Sequence, residues 1–354
     1  MMTNNNLNNC IVKDDIRAII QDPLIEWEIL KNKRIFITGA TGVIGSFIAY
    51  CFYEANKLLD LKLDLILLLR DKNKAFCIFD DEFLNCKNIE IIENDILLNI
   101  YYDGKIDYII HAASATSSQF FVDNPETTFK ISAIGTKKIL ELARVKRISS
   151  IVYLSSMEVY GDIEKPILLS EEDLGTMDKN NPRSSYAIGK RTAEQICIQY
   201  ASKYGIPVKI IRLAQIISSS ASYNDTRVYA YFARCIVENK DIELSTLAQT
   251  TRSYCYITDA VIGILLLLLR GNDGEVYNLA NEKNAIKICD MAEYLCNKYK
   301  NSKVLYKIKN SPKYPKNIHW NLDSRKIQKL GWQASISLDE SLVKVINSFK
   351  ARIK

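Results

Sequence analysis

Residues 34–46 read RIFITGATGVIGS. After Arg34 comes a short apolar and β-branched run, which predicts a buried strand over 34–38. Gly39, Gly42 and Gly45 follow at G-x-x-G-x-x-G spacing, and an apolar stretch then predicts a helix to about Leu59. A glycine string alone is a weak signal. Between a strand and a helix it has a physical meaning. Glycine permits the tight turn and lets backbone amides approach a pyrophosphate, which the helix N-terminus attracts. The competing reading, a turn that merely packs a helix, does not require that context. Gly39, Thr41, Gly42, Val43, Ile44 and Gly45 are therefore assigned to a dinucleotide.

The pattern repeats outward from this stretch. Strands are predicted over 63–70, 89–95, 106–113, 150–156 and 207–217, and helices over 126–145 and 184–205. Strands alternating with helical runs imply right-handed crossovers and a parallel sheet covered on both faces. The fold class is α/β, a doubly wound parallel sheet. After Ser218 the rhythm weakens into a polar loop (218–227), a helix (228–239) and mixed segments, so a smaller mixed C-terminal lobe is expected. Three regions result. Residues 1–32 are a disordered Asn-rich start (1–9) with a helical extension broken by Pro23. Residues 33–217 are the dinucleotide-binding domain. Residues 218–354 are mainly a substrate-binding lobe.

Composition narrows the function classes. Lys plus Arg number 47 against 41 acids, and the resulting +6 is spread along the chain, which leaves no nucleic-acid footprint. The nine cysteines show no CxxC pair, and the start MMTNNNLNNC is too polar for a signal peptide. Reduced thiols and a cytoplasmic location are expected. The two histidines, His111 and His319, make no metal cluster with these cysteines, so no metal is expected. The most apolar run, Val261 to Leu269, falls short of the roughly 20 residues a membrane helix needs. It is expected to be a core helix, with no membrane partner.

The second strand ends Leu69-Arg70-Asp71. Arg70 would pair a 2′-phosphate, as in NADP, whereas Asp71 would hold the ribose of NAD if the strand ended one residue later. Two solvated loop charges is the bland alternative. Asp95 and Ile96, after the third strand, are positioned to meet the adenine. Further on, YAIGK places Tyr186 and Lys190 four apart, on one helix face. An ammonium near a phenol favours phenolate and lowers its pKa from about 10. Such a phenol exchanges a proton with a substrate hydroxyl, while Lys190 also holds a nicotinamide ribose.

The stretches TGATGVIG, IIHAAS, SSMEVYG, SSYAIGK, RLAQII, RSYCYITDA and LDSRKIQKLGW together resemble the extended short-chain dehydrogenase/reductase family, the branch that modifies nucleotide sugars. The resemblance spans roughly 33–332. It implies a Rossmann domain, bound NAD or NADP, a nucleoside-diphosphate sugar as substrate, and a homodimer. By position it makes Ser156 the catalytic hydroxyl beside Tyr186 and Lys190. It brings Ala112 and Ala113 to the cofactor and Ser114 to the substrate. Arg252 matches an arginine that grips the substrate diphosphate, in keeping with the fork geometry of a guanidinium. Two departures stand out: Ser132 replaces a usual Asn, and Gln215-Ile-Ile-Ser-Ser replaces Asn-x-Tyr-Gly-Pro.

The resemblance also gives meaning to Ser156-Met157-Glu158. Sugar 4,6-dehydratases carry Thr-Asp-Glu there, the Asp protonating the leaving hydroxyl and the Glu taking the carbon 5 proton. Met157 has no proton to give, which weakens a dehydratase. Glu158 is then a carbon 5 base or a pocket residue. Glucuronate decarboxylases resemble Thr-Ser-Glu here, but they carry Arg-Lys-Pro-Asp where this chain has Trp320-Asn321-Leu322-Asp323. The leading expectation is hydride transfer at carbon 4 of a nucleotide sugar, of epimerase/dehydratase type, for surface-polysaccharide precursors. An NADPH-dependent 4-keto-6-deoxysugar reductase comes second and a nucleotide-glucuronate decarboxylase third. A non-catalytic NAD(P)-binding regulator is the alternative from another class. Retention of Ser156, Tyr186 and Lys190 argues against it.

Overall fold

The computed structural model describes residues 7, 9–163, 167–308 and 318–353. Seven parallel strands form the main sheet: β1 (Arg34–Thr38), β2 (Asp64–Leu69), β3 (Ile89–Glu93), β4 (Tyr108–His111), β5 (Ser150–Ser156), β7 (Val208–Leu213) and β11 (Val276–Leu279). Between and beyond these, in chain order, lie β6 (Leu168–Leu169), β8 (Gln215–Ile217), β9 (Ile242–Leu244), β10 (Thr251–Tyr256), β12 (Asn281–Lys287), β13 (Val304–Tyr306) and β14 (His319–Leu322). The order across the main sheet is β3-β2-β1-β4-β5-β7-β11. The chain runs outward from β1 to β3, then returns to build the other half from β4. The order therefore reverses between β1 and β4, where a crevice opens beyond the strand ends.

Residues 35 to 38 of β1 are fully buried, as a central parallel strand requires. Burying each large apolar side chain here contributes roughly 1.5–3 kcal/mol. The run Val261–Leu269 lies in the helix Ile257–Arg270, buried along nearly its whole length and packed on β5 and β7. Among the described residues no helix is long and apolar enough to cross a membrane.

The apolar run predicted as one strand over 207–217 divides. Ala214 donates its last rung to Leu279 O at 3.0 Å, and β8 then leaves the main sheet to pair in parallel with β10. Continuous apolar character cannot mark such a switch, because both sheets bury the strand. From the C-terminal stretch, β11 returns to the main sheet as its edge strand beside β7. The second sheet is mixed and five-stranded, in the order β12-β10-β14-β6 with β8 beside β10, so β6 and β8 join it from before residue 218, and β9 and β13 form a two-stranded ribbon. The helix predicted over 126–145 is interrupted: Pro125–Lys130 and Thr136–Lys146 flank a π-helical turn at Ile131–Gly135.

At the N-terminus, residues 1–6 and 8 of the stretch expected to be disordered lie outside the described residues. Leu7, however, is buried, and the side chain of Asn9 caps the helix Cys10–Ile20. Asp15 from that helix is buried and accepts hydrogen bonds from Ser219 Oγ (2.7 Å), Tyr256 Oη (2.5 Å) and Lys344 Nζ (2.8 Å). The start of the segment predicted as a polar loop over 218–227 is thus interior, because its serines find partners there.

Candidate active site

The loop after β1 is shaped by contacts that only glycine allows. Gly39 has φ +66°, and a Cβ there would lie 2.7 Å from Ala113 N and 2.8 Å from the Ala112 carbonyl carbon. A Cβ on Gly45 would lie 2.3 Å from Gly39 O. The loops after β1 and β4 therefore touch at the switch point, pinned by Ala113 N donating to Thr38 Oγ1 at 3.0 Å. That hydroxyl also meets His111 Nδ1 at 2.7 Å, while Nε2 meets Thr136 Oγ1 at 3.0 Å. Burial and the nearby Lys190 push the His111 pKa down to about 3, so the ring stays neutral and structural. Gly42 caps the helix Val43–Leu59, which has no acidic residue in its first turn. Its N-terminal amides and dipole are available to an anion.

At the adenine side, β2 ends at Leu69, so neither residue of the Arg70-Asp71 pair belongs to the strand. Arg70 is exposed, and Asp71 caps the next helix by accepting from Asn73 N at 2.9 Å. Asp95 turns the chain by accepting from Leu97 N at 2.8 Å, and Ile96 is buried against the π-helical turn at Gly135.

The groups expected to react converge beyond the end of β5. Ser156 caps a 3-10 turn, Met157–Tyr160, by accepting from Glu158 N at 3.2 Å. Tyr186 lies in the first turn of the helix Ser184–Tyr204, with its ring stacked on Phe121 at a centroid distance of 4.3 Å. Lys190, one turn on, is buried and donates to Leu154 O at 2.6 Å. Here the expected electrostatics are corrected. Burial first, and then the Glu158 charge, push the Tyr186 pKa up to about 12; hydrogen bonds with Ser156 and Ser114, and the charge of Arg183, act the other way. Lys190 is not among the larger influences on the phenol. Its ammonium is engaged by a carbonyl, and burial lowers its own pKa to about 8 against the opposing pull of Glu194.

Glu158 is not a free carboxylate. Arg183 Nη2 donates to Oε1 and Nη1 faces Oε2, both at 2.9 Å, and both side chains are nearly buried. The Arg183 guanidinium also lies 5.9 Å from the centroid of the Phe121 ring, the ring on which Tyr186 stacks. Met157 is buried in the hydrophobic core. Arg252, on β10, lies 5.7 Å over the Trp320 ring with its Nε buried and unpartnered among the described residues. Trp320 Nε1 donates to Gly161 O at 2.8 Å, which anchors this pair on the last residue of SSMEVYG.

Over residues 35–280 the sequence matches the model of the NAD dependent epimerase/dehydratase family. The chain belongs to that family. Similar proteins include UDP-glucuronic acid decarboxylase 1 of Xenopus tropicalis, 29% identical over 91% of this chain and 73% of the relative. UDP-glucuronic acid decarboxylase 3 of Arabidopsis thaliana is 28% identical, with 91% and 90% covered. Among solved structures, the fold is shared with a UDP-glucuronic acid 4-epimerase from Bacillus cereus in complex with UDP-glucuronic acid and NAD. Its TM-score is 0.74 at 20% identity, covering 90% of this chain and 99% of that one. DesIV, a dTDP-glucose 4,6-dehydratase from Streptomyces venezuelae with NAD and TYD bound, gives a TM-score of 0.75 at 19% identity, with 90% and 97% covered.

As a member of this NAD-dependent family the chain is an enzyme, and its glycine loop fits the cofactor: the helix that Gly42 caps has no acidic residue in its first turn, which leaves its N-terminal backbone amides for a pyrophosphate. The family is one of nucleotide-sugar epimerases, dehydratases and decarboxylases. Sequence reasoning missed the groups that hold the site in place. Glu194, buried, accepts from Ser155 Oγ at 2.5 Å and from the Arg212 fork at 2.8 to 3.3 Å. Arg212 Nη1 reaches Tyr160 Oη at 3.2 Å, and Tyr160 Oη donates to Asn278 Oδ1 at 2.6 Å. This network joins β5, β7, β11 and the Tyr186 helix. Its one local signal was Glu194 standing four residues after Lys190.

Proposed function

We propose that the enzyme carries out internal redox at carbon 4 of a nucleoside-diphosphate sugar, of epimerase type, in making surface-polysaccharide precursors. The observation that carries this reading is the state of the residues after Ser156. Met157 is packed in the core and Glu158 is paired through both oxygens, so no free acid and base stand ready for elimination across carbons 5 and 6. NAD, held by Gly39, Thr41, Gly42, Val43, Ile44, Gly45, Ala112 and Ala113, would supply the hydride acceptor. Tyr186 exchanges the proton of the carbon 4 hydroxyl, Ser156 and Ser114 orient that hydroxyl, and Lys190 holds the nicotinamide ribose. Asp95 and Ile96 meet the adenine, and Arg252, with its orphaned Nε, takes the diphosphate. Residues 33–217 bind the cofactor and 218–354 mainly the sugar nucleotide, in a cytoplasmic homodimer.

Decarboxylation is the second reading, favoured by the names of the relatives. A 4-keto sugar with a carboxylate on carbon 5 is a β-keto acid and loses carbon dioxide without a further base. One experiment separates these outcomes: NAD-loaded protein is incubated with UDP-glucose or UDP-glucuronic acid in deuterated water and the products are read by NMR. The expected product is the carbon 4 epimer without deuterium at carbon 5. A pentose product with carbon dioxide release selects the second reading. A 6-deoxy-4-keto product with deuterium at carbon 5 overturns both.

A further inference from the structure

Tyr153 stands behind the groups assigned to the reaction, and the proton exchange does not use it. It lies in the middle of β5, almost fully buried, with its ring 5.3 Å from that of His111 on β4. The Lys190 ammonium sits over the other ring, 4.7 Å from the Tyr153 centroid. Lys190 is itself almost fully buried and forms no ion pair among the described residues; its hydrogen bond goes to the carbonyl of the neighbouring Leu154 at 2.6 Å. A buried ammonium without a facing carboxylate is costly to keep charged. Burial has already brought Lys190 down to about 8, so its charge is lost just above neutral pH.

The other groups around Lys190 give it little support. Glu194, one helix turn on, favours the charge, but its carboxylate already takes the Arg212 fork and Ser155 Oγ. Cys197, a further turn on, is buried and its thiol is pushed up, so it stays neutral. His111 is neutral as well. The Leu154 carbonyl and the face of Tyr153 remain. An aromatic face attracts a cation within about 6 Å, most strongly where water is excluded. We propose that Tyr153 is a positioning residue for Lys190, its ring keeping the lysine a charged donor for the cofactor. The inference rests on the reading that Lys190 holds the nicotinamide ribose. An ammonium donates charge-assisted hydrogen bonds, about twice as strong as those between neutral groups. The ring acts and the hydroxyl does not, so phenylalanine should serve as well as tyrosine.

Calorimetric titration with NAD between about pH 6 and about pH 9.5 tests this without requiring turnover. Wild-type affinity should fall as pH rises through about 8, where Lys190 loses its charge. Tyr186, pushed up to about 12, titrates too high to be mistaken for it. Lys190→Met should bind NAD more weakly and abolish the fall. Tyr153→Phe should leave the fall where it is in the wild type. Tyr153→Met keeps an apolar side chain of useful size but removes the π face. It should bind NAD within about twofold of wild type near pH 6 and move the fall down by about one pH unit. Tyr153→Leu carries the same test if the Met variant does not fold. A packing role alone predicts lower stability to urea with the fall unmoved. An unmoved or upward-shifted fall in the Met or Leu variant, or an equal shift in Tyr153→Phe, overturns the proposal. The reading of Lys190 fails separately, and takes the proposal with it, if wild-type affinity does not fall or Lys190→Met keeps the fall.

Discussion

At the glycine loop the geometry is set by backbone: Gly39 at φ +66°, the Gly45 helix turn pressed on Gly39 O, and the amides of a helix N-terminus. Around Tyr186 and on β10 it is set by side chains drawn from distant parts of the chain: Glu158 with Arg183, Arg252 over Trp320, and Glu194 with Arg212. A backbone cradle recognises the pyrophosphate common to dinucleotides. Paired side chains can be re-paired by single substitutions. The difference suits a family in which one cofactor serves many sugars.

Tyr186→Phe should break the contrast most sharply. Removing the proton carrier should lower turnover by roughly 10²–10⁴-fold while NAD affinity stays near normal, since the glycine loop is untouched. Steady-state rates beside NAD titration read both numbers, and near-wild-type turnover would remove Tyr186 from its role.

Glu194→Gln should come next, and act on stability. It leaves the Arg212 guanidinium, which is almost fully buried, without its counter-charge, a change that typically costs about 3–5 kcal/mol. Urea unfolding measures this, and a loss under about 1 kcal/mol would mean that water or rearrangement replaces the carboxylate.

The phenol offers a pH test. With its pKa raised to about 12 by burial and Glu158, Tyr186 in cofactor-free protein should not ionise below pH 10. The difference in phenolate absorbance between wild type and Tyr186→Phe should therefore be flat up to that pH. The sign for stability follows: the raised pKa stabilises the fold fully below about 10, and this is lost as pH rises toward about 12. Ionisation of Tyr186 near neutral pH without NAD would show that the site activates the phenol by itself.

Arg70→Ala should have the smallest effect. In an NAD-dependent family an exposed Arg70 has no 2′-phosphate to meet, so NAD affinity should change by less than about threefold, a surface-charge effect. A selective loss of NADP binding in the same variant would instead make Arg70 a phosphate reader.

Much of the cofactor end was legible in the sequence because its signals are local. A strand, a glycine turn and a helix occupy consecutive residues, and Tyr186 and Lys190 share a face through helix geometry alone. β1 and β5 fall where the apolar runs predict them, over 34–38 and 150–156. The resemblance pointed to Ser114, Ser156 and Tyr186, and the structure brings these three hydroxyls together. Periodicity did not announce the π-helical turn at Ile131–Gly135 or the break at Ala214. Each replaces local regularity by a contact with another element.

The sequence by itself determined the α/β alternation, the glycine cradle and the Tyr–Lys helix, since each depends on neighbours within a turn or two of chain. Only the tertiary structure decided that Glu158 meets an arginine 25 residues away, that Lys190 is held by the Leu154 carbonyl, and that β11 comes back to close the main sheet. The physical reason is that a side chain's charge state depends on how far it is buried and on what faces it. Both are properties of the packed molecule, and no spacing along the chain carries them.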